Sequence, residues 1–493
     1  MNDLASPATL DASARMRAAL DASRSAFLAE GPPSAKVRID RIDRLIAIMV
    51  DNADRLVETL REDYGHRSSV QSVFAEVLGP LPGLKHSRKH LAEWMRPQRR
   101  PAGPLAFVGA KAWIEWQPLG VVGVISPWNF PTGLALQPMA QVFAAGNRGM
   151  LKLSELVPRT SDLIREACEK AFDPTELAVF TGGPDVGAAF SRLPFDHLLF
   201  TGATSVAAHV LHAAADNLVP VTLELGGKSP VVVGTDADLL KMATRVCVGK
   251  TMNAGQLCLT PDYLLVPAGR EAATVEALTA TFTRMFPRLV DNDDYGSIVN
   301  ARHHARVVGL REDARAKGAQ IIEINPANED FSKQPAHKIP PTLVLGANDS
   351  MKILQEEIFG PLLPILPYQR IEDACGYINA RPKPLAAYYF GADGPARRYF
   401  LARTYSGGVT LNDVVLHCAT EDLPFGGVGA SGMGYYHGRS GFEQFSHAKA
   451  VVDAPTWWSP NQLIGAPYGE RLRKGLAWML RSERKSVAAR LGR

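Results

Sequence analysis

The stretch HLLFTGATSVAAHVLHAAADNLVPVTLELGGKSPVVV, residues 197–233, decides the fold. It contains three short apolar runs, at 197–202, 219–225 and 230–234, of which the last ends one residue beyond the stretch. These runs are rich in Leu, Val and other residues common in strands. Between the first two runs, residues 204–215 have the length and composition of a helix. Apolar strands that alternate with helices indicate a parallel sheet covered on both faces, so this stretch predicts an α/β fold.

The same alternation continues on both sides of this stretch. Further strands are predicted at 121–126, 177–182, 263–267, 320–325, 342–346, 386–391 and 407–412, and further helices at 159–172, 184–191, 236–252, 270–286, 301–317 and 394–404. The LGGKSP turn at 225–230 predicts a boundary between two α/β series. The first hundred residues have helical spacing, whereas AWIEWQ at 112–117 predicts an isolated edge strand.

The composition excludes several classes of protein. The 493 residues include 54 Lys and Arg against 50 Asp and Glu, and residues 471–493 hold eight of the basic residues with one Glu. The remaining chain is slightly acidic, which disfavours a basic surface that wraps nucleic acid. Five scattered cysteines predict no disulfide framework, and twelve histidines without ligand spacing predict no metal. Because no leader and no membrane-spanning stretch are evident, a soluble cytoplasmic protein is expected.

Two glycine-rich matches fail in their context. Residues 427–432 fit GxGxxG, but Pro424 precedes them closely and more glycines follow, so a connecting loop is favoured over a dinucleotide-binding turn. Residues 227–229 fit the end of a nucleotide-triphosphate loop, yet Thr222 stands where its first glycine is required.

Three side chains in turns could carry chemistry. Cys258, in NAGQLCLTPD (253–262), lies in a loop of small residues whose backbone N–H groups can favour a thiolate nucleophile. Glu224 ends a predicted strand beside paired glycines, and Asn129, between two prolines, can donate to an oxyanion. Taken singly, an inert cysteine, a surface carboxylate and a turn asparagine explain these residues at least as well.

Together, several motifs resemble the aldehyde dehydrogenase superfamily from about Arg41 to Val452. The motifs are PLGVVGVISPWNFP (118–131), GNRGMLKLSE (146–155), FTGATS (200–205), ELGGKSP (224–230), NAGQLCLTPD (253–262), EEIFGPLLP (356–364) and LPFGGVGASGMGYYHG (423–438). The separation of 34 residues between Glu224 and Cys258 is also that of the family. The fragments CLTPDY, NDVVLH and SGMGYYHG are similar to the branch of fatty, aromatic and coniferyl aldehyde dehydrogenases, and most of all to the coniferyl group.

This resemblance implies a mechanism. The Cys258 thiolate would attack the aldehyde, and the Asn129 amide and the Cys258 N–H would hold the oxyanion. Hydride transfer to a nicotinamide would leave a thioester, which water activated by Glu224 would hydrolyse.

The resemblance also implies NAD as the cofactor, with NADP possible. The implied cofactor-binding residues are Trp128, Lys152, Glu155, Gly202, Glu357 and Phe359. Lys152 and Glu155 would reach the adenosine ribose, where Glu155 would repel a 2′-phosphate. Gly202 would open the helix beneath the pyrophosphate, Glu357 would hold the nicotinamide ribose and Phe359 would pack near it. The family commonly has Pro, Ser and Gly where Leu153, Ala203 and Ala207 stand, and the missing hydroxyl at 203 removes one phosphate contact.

For the architecture, the resemblance implies an aldehyde dehydrogenase fold. A Rossmann-like NAD-binding domain would span 1–227, interrupted by an oligomerisation strand near 105–118. An α/β catalytic domain would span 228–421, and a return loop with a bridging strand would span 422–455. A homodimer is implied. The basic tail, 456–493, has helical spacing and is expected to dock on protein or to touch an anionic membrane surface.

Four alternatives remain open at this point. The small-molecule substrate could be a medium- or long-chain aliphatic aldehyde instead of an aromatic one. The thioester could pass to coenzyme A, although Glu224 argues against this. A cysteine hydrolase with His417 as its base would leave Lys152 and Glu155 without a role. A non-catalytic relative would not explain why all three catalytic residues are present.

Overall fold

The computed structural model describes residues 7–462 and 465–493, so residues 1–6 of the predicted first domain and 463–464 of the predicted tail lie outside it. The described chain forms two compact units. The larger unit comprises the described residues up to Trp94 together with Gln117–His447. The smaller unit comprises Met95–Trp116 together with Ala448–Arg493.

The α-helices of the described residues are, in chain order, α1 (Pro7–Glu30), α2 (Ala35–Asp51), α3 (Ala53–Tyr64), α4 (Ser69–Ser72), α5 (Leu81–Trp94), α6 (Gly133–Ala144), α7 (Pro158–Ala171), α8 (Pro184–Ser191), α9 (Thr204–Ala215), α10 (Leu239–Thr251), α11 (Glu271–Met285), α12 (Ala301–Ala316), α13 (Lys352–Gln355), α14 (Ile371–Asn379), α15 (Pro395–Arg403), α16 (Gly438–Gln444) and α17 (Glu470–Arg490). A π-helix spans Val73–Leu78, and short 3-10 helices include Gly103–Val108 and Met252–Gly255.

The strands are β1 (Gln98–Arg100), β2 (Lys111–Pro118), β3 (Val121–Ile125), β4 (Arg148–Lys152), β5 (Leu177–Phe180), β6 (His197–Gly202), β7 (Val221–Leu225), β8 (Pro230–Val233), β9 (Tyr263–Pro267), β10 (Gln320–Glu323), β11 (Thr342–Leu345), β12 (Leu362–Tyr368), β13 (Ala386–Phe390), β14 (Gly408–Leu411), β15 (Gly432–Met433) and β16 (Ser446–Asp453).

A six-stranded sheet with the order β15-β7-β6-β3-β4-β5 lies in the larger unit. Its strands are parallel except for β15, which returns from late in the chain and pairs antiparallel with β7. Val121 and Ile125 face a core shared with Met16 and Leu20 of α1, and the alternate side chains of the same strand point to the opposite face. Burial on both faces explains why these strands are continuous apolar runs.

A seven-stranded sheet with the order β10-β11-β12-β9-β8-β13-β14 follows in the same unit. All of its neighbouring strands are parallel except β10 and β11. The link from β7 to β8 is the LGGKSP turn, so the chain passes from one sheet to the next at the predicted position. The carboxyl ends of parallel strands are where α/β proteins commonly bind their ligands.

Each strand predicted in the two α/β series is present to within two residues at either end, and each helix to within three. The sequence pattern did not predict β12 or α6, because each contains proline. Pro364 and Pro367 lie within β12, and Pro138 lies within α6. Proline lowers the strand and helix propensities on which such predictions rest.

Two predicted segments need correction. The strand expected near 105–118 begins only at Lys111, because Gly103–Val108 is a 3-10 helix closed by Gly109 at φ 88°. Within 422–455, predicted as a return loop and a strand, the strand is β16, but the helix α16 precedes it despite Gly438 and Gly441. Phe442 is buried and its ring centroid lies 5.7 Å from that of Trp94, so tertiary packing outweighs glycine's low helix propensity.

The smaller unit contains the three-stranded sheet β1-β2-β16 and the helix α17. Among the described residues, no helix is long and apolar enough to cross a membrane.

Candidate active site

The loop that carries Cys258 is held in an unusual backbone conformation. Asn253 and Ala254 both have positive φ angles, 47° and 53°. Such left-handed residues cost of order 1–3 kcal/mol each and persist where surrounding contacts fix them. The buried Gln256 side chain supplies three of those contacts, donating to the carbonyls of Asn253 and Ser297 at 2.9 Å and accepting from Val299 N at 2.9 Å.

Asn129, in the turn after β3, points its amide at the same loop. Its Nδ2 donates to the Gln256 carbonyl at 3.1 Å, which leaves the second N–H of the amide for another acceptor. The Asn129 backbone carbonyl accepts from Asn253 Nδ2 and Arg67 Nη1, both at 3.0 Å, and from the Tyr64 hydroxyl at 3.3 Å. The proposed oxyanion donor is therefore fixed to the Cys258 loop from both ends.

Arg67 and Glu76 form a buried ion pair behind Asn129 that sequence reasoning missed. Their side chains are 2% and 0% exposed, and Arg67 Nη2 donates to Glu76 Oε1 at 2.9 Å. Glu76 lies in the π-helix, a geometry frequent at functional sites. Its other oxygen accepts from Thr132 N at 3.0 Å and Gly133 N at 3.3 Å, at the start of α6. The pair thus ties the π-helix to the turn that presents Asn129.

Glu224 is the fourth residue of β7, and its neighbour across the strand pair is Gly432 of β15. The side chain is 3% exposed, and neither carboxyl oxygen has a hydrogen-bond partner. Burial raises the pKa of this carboxyl group well above its ordinary value. A carboxyl group in such surroundings is a stronger base once it has lost its proton.

The Cys258 thiol lies in an acidic neighbourhood. The residue stays partly exposed, although dense packing around its sulfur is the main cause that raises the thiol pKa. Glu357, Cys418 and Glu224 act on the sulfur electrostatically and raise the pKa further, whereas its own backbone N–H lowers it. Glu224, the predicted general base, and Glu357, predicted to hold the nicotinamide ribose, are therefore both near enough to the sulfur to act on it electrostatically.

The residues predicted to hold the adenosine and pyrophosphate lie at the carboxyl ends of β4 and β6, the two strands that flank β3 in the sheet. Lys152 ends β4 and is 3% exposed, and its Nζ lies 3.0 Å from Glu155 Oε2. Gly202 ends β6, directly before the N-terminus of α9, and a Cβ there would lie 2.5 Å from the Phe200 ring. A helix N-terminus that side chains leave open can accept a phosphate.

The residues predicted to hold the nicotinamide end surround Glu357. Burial raises the pKa of this carboxyl group to about 8, and its Oε1 has no hydrogen-bond partner. A Cβ on Gly226 would overlap that oxygen. Phe359 has a strained backbone with φ 48°, and its ring meets the Trp128 ring edge-on at 5.4 Å. This buried orphan acceptor, beside a glycine cradle, fits a ribose hydroxyl.

Lys228 and Asp262, which the sequence did not suggest as site residues, position the segment that carries Glu357. Lys228 pairs with the fully buried Asp262 and donates to the carbonyl of Glu356 at 2.9 Å. Asp262 in turn accepts from Ile358 N at 2.9 Å. Lys228 lies in the motif ELGGKSP and Asp262 in NAGQLCLTPD, four residues past the cysteine, so their places in the two motifs could have drawn attention.

His417, the candidate base of the hydrolase alternative, has other partners. Its Nδ1 lies 2.8 Å from Thr410 Oγ1, and burial lowers its pKa to about 4. Among the described residues, no hydrogen bond joins it to Cys258, and no group of three or more His, Cys, Asp or Glu is arranged to hold a metal ion.

The comparisons with known proteins agree with this geometry. The model of the Aldehyde dehydrogenase family matches residues 4–451. The chain therefore belongs to the aldehyde dehydrogenase family, and the prediction of an aldehyde-oxidising enzyme is confirmed. The cysteine-hydrolase alternative is accordingly wrong.

The relatives within this family that are similar to the chain include coniferyl aldehyde dehydrogenases. A probable coniferyl aldehyde dehydrogenase of Caulobacter vibrioides is 52% identical, with 94% of this chain and 97% of that protein covered. The coniferyl aldehyde dehydrogenase of a Pseudomonas strain is 49% identical, with 95% and 97% covered. Among solved structures, the substrate-bound state of Staphylococcus aureus AldH has a TM-score of 0.86 at 34% identity and covers 94% of this chain and 99% of its own. The predicted fold class is confirmed by this likeness.

Proposed function

We propose that this enzyme oxidises a hydrophobic aromatic aldehyde of the coniferyl type to its carboxylic acid, with NAD as the electron acceptor. The observation that carries the proposal is the Asn129 amide held at 3.1 Å on the Cys258 loop, together with the buried, unpartnered Glu224 carboxyl that acts electrostatically on the Cys258 thiol. The printed names of the relatives at 52% and 49% identity support the substrate class.

The reaction divides into two halves around Cys258. The thiolate adds to the carbonyl carbon, and the free N–H of the Asn129 amide together with the Cys258 backbone N–H stabilises the resulting oxyanion. Collapse of this thiohemiacetal expels a hydride, and the sulfur is left in a thioester. Glu224 then removes a proton from water, which attacks the thioester and releases the acid and the thiol. One aldehyde and one water thus give one carboxylate, one hydride and two protons.

The cofactor supplies the hydride acceptor, and the chain's own residues fit it. Lys152 and Glu155 would bind the adenosine ribose, and the carboxylate of Glu155 disfavours a 2′-phosphate, which is why we propose NAD over NADP. Gly202 would leave the N-terminus of α9 open to the pyrophosphate. The Glu357 carboxyl would bind the nicotinamide ribose, with Phe359 and Trp128 packed beside it. A homodimer and a cytoplasmic location stay predictions from the sequence.

The preference for an aromatic substrate over an aliphatic one rests on the printed names of the relatives, and aromatic side chains also lie in the region of the sulfur. Tyr388 and Tyr436 both interact electrostatically with Cys258, and the Tyr436 ring meets Phe425 edge-on at 5.7 Å. Aromatic rings pack well in offset or edge-on arrangements, and such pairs contribute about 0.5–1.5 kcal/mol beyond area burial.

A substrate panel with two cysteine variants tests the proposal. Coniferaldehyde, benzaldehyde and medium-chain alkanals are each supplied with NAD, and reduced cofactor is followed by absorbance. Cys258→Ala is expected to abolish turnover, whereas Cys375→Ala, which changes a buried cysteine of α14, is expected to keep it. Turnover by Cys258→Ala would refute the nucleophile, and a clear preference for alkanals would refute the substrate class. A product that requires coenzyme A would overturn the role of Glu224.

A further inference from the structure

The helix α17 is an exposed amphipathic helix without a described partner for its apolar side. None of its 21 residues is buried. At 3.6 residues per turn, Leu472, Leu476, Met479, Leu480 and Val487 fall within an arc of about 100°. Four of these side chains are about half exposed, at 49–54%. Such a stripe on a water-facing helix is an unfavourable surface unless something covers it.

The remaining circumference of α17 is strongly basic. Four basic side chains, Arg471, Lys474, Arg481 and Lys485, lie on the side opposite the stripe, together with the exposed Trp478. Arg473 and Arg484 flank one edge of the stripe. Only Glu483 and Arg490 interrupt the stripe itself. Residues 471–493 hold eight basic residues and one acidic residue, so the segment complements a negatively charged surface.

We propose that α17 lies on the surface of an anionic lipid bilayer, with its apolar stripe in the boundary between headgroups and acyl chains. A stripe of leucines next to a basic face is the pattern of helices that lie in this boundary. The charge favours anionic lipids, since each Lys or Arg near such a surface is attracted within a Debye length. The helix is too polar to span the bilayer, in keeping with the described helices. Trp457, 72% exposed in the segment before α17, belongs to a residue type enriched at membrane interfaces.

Vesicle binding by the full chain tests this proposal independently of the substrate. The purified enzyme is sedimented with phosphatidylcholine vesicles and with vesicles that contain about 30 mol% phosphatidylglycerol, at low and at high salt. Two double variants carry the same change in charge on opposite sides of α17. Leu476→Asp with Leu480→Asp alters the apolar stripe, and Ala477→Asp with Ala489→Asp alters the basic side.

The expected result is binding to the anionic vesicles alone, with at least a tenfold preference over neutral vesicles and a loss of binding at about 0.5 M salt. The stripe variant should lose binding, whereas the basic-side variant should weaken it less. Aldehyde oxidation in solution should be equal in all three proteins, which shows that each is folded. Absence of binding by the unaltered chain, or an equal loss in both variants, would overturn the proposal. If the parent does not bind vesicles and the stripe variant has a smaller molar mass in solution than the parent, the stripe is instead a contact between two copies of the chain.

Discussion

At the scale of single residues, Glu224 combines a chemical role with a cost in stability. Its carboxyl group is buried without a hydrogen-bond partner, a situation that costs about 1–3 kcal/mol. In the unfolded chain the same group would have its ordinary pKa, whereas in the fold the pKa is raised. The residue is therefore one that function maintains against stability.

We expect Glu224→Gln to change stability in a pH-dependent way. Because the folded pKa lies above the unfolded one, the native carboxyl keeps its proton while the unfolded chain loses it, so stability falls as pH rises above about 4.5. Glutamine does not titrate, so the variant should gain about 1–3 kcal/mol relative to the parent at alkaline pH and little at acidic pH. Urea unfolding at several pH values measures this difference.

The same variant should also separate the two halves of the reaction. It should release one equivalent of reduced cofactor in a burst and then stop, because the thioester is not hydrolysed. The exposed Glu372→Gln of α14 serves as the control and should change neither property. A constant stability difference across pH would contradict the assigned burial effect.

Glu155 is the residue that we expect to set the cofactor preference. Replacement by Gln removes the negative charge that lies 3.0 Å from Lys152 Nζ and frees that lysine to attract a phosphate. Use of NADP, measured as kcat/KM, should rise about tenfold relative to NAD. Glu166→Gln, an exposed position on α7, should leave the ratio unchanged. An unchanged ratio in Glu155→Gln as well would show that the preference arises elsewhere.

At the scale of elements, the π-helix and α6 are joined to the active site through Arg67 and Glu76. Arg67 donates a hydrogen bond to the Asn129 carbonyl. Glu76 does not contact this carbonyl and instead accepts a hydrogen bond from Thr132 N at the start of α6. The guanidinium also lies over the Tyr64 and Phe130 rings, at 4.9 and 5.2 Å from their centroids. Asn129 is thus positioned by elements that never touch the substrate carbonyl.

We predict that Arg67→Met lowers kcat by about 10- to 100-fold, because a shift of about 1 Å in a catalytic donor has that effect. KM for the cofactor should stay the same, and Arg67→Lys should restore part of kcat. Breaking a buried pair also destabilises a protein by about 3–5 kcal/mol. Arg41→Met is the control because it breaks a comparable ion pair: Arg41 is 2% exposed and contacts Glu30 and Glu176. This variant should lower the free energy of unfolding without lowering kcat. Equal kcat losses in both variants would contradict a positioning role.

The elements also show how far sequence reasoning reaches here. Most strands of the two sheets were predictable because they are short apolar runs, although β4, β12 and β15 were not predicted from the pattern. The motifs led to Cys258, Glu224 and Asn129 as one predicted site. The Arg67 pair was not predictable, since its residues lie in the helical first hundred residues, without a motif, and its role depends on tertiary contacts. The strand β12 was hidden by Pro364 and Pro367, because proline is uncommon in an interior strand such as this one.

At the scale of the whole molecule, the last part of the larger unit's sequence returns to β7 in the middle of the chain. The strand β15 supplies the outer neighbour of β7, and Gly432 lies opposite Glu224. Gly432 has φ 134°, and a Cβ there would collide with the Leu223 carbonyl oxygen. Only glycine can adopt this positive φ angle without strain and also leave room for the Leu223 carbonyl oxygen.

Gly432→Ala should therefore impair folding and catalysis together. We expect a loss of more than about 2 kcal/mol in unfolding free energy, from the strained conformation and the collision. Gly376→Ala is the matched control, since a Cβ on this glycine of α14 meets nothing within 4 Å, and it should be neutral or slightly stabilising. Chemical denaturation and aldehyde turnover of both variants measure the effect. Unaltered stability of Gly432→Ala would show that β15 does not secure β7.

The late arrival of β15 has a consequence for synthesis in the cell. About two hundred residues separate β7 from its outer neighbour, so the strand that bears the proposed general base stays an uncovered edge while the ribosome makes the entire second sheet. At 5–20 residues per second, that interval lasts about 10–40 seconds. The nascent polypeptide is thus most exposed to misassembly during this interval, and slow translation or scarce chaperones should reduce the yield of active enzyme more than they reduce its total amount.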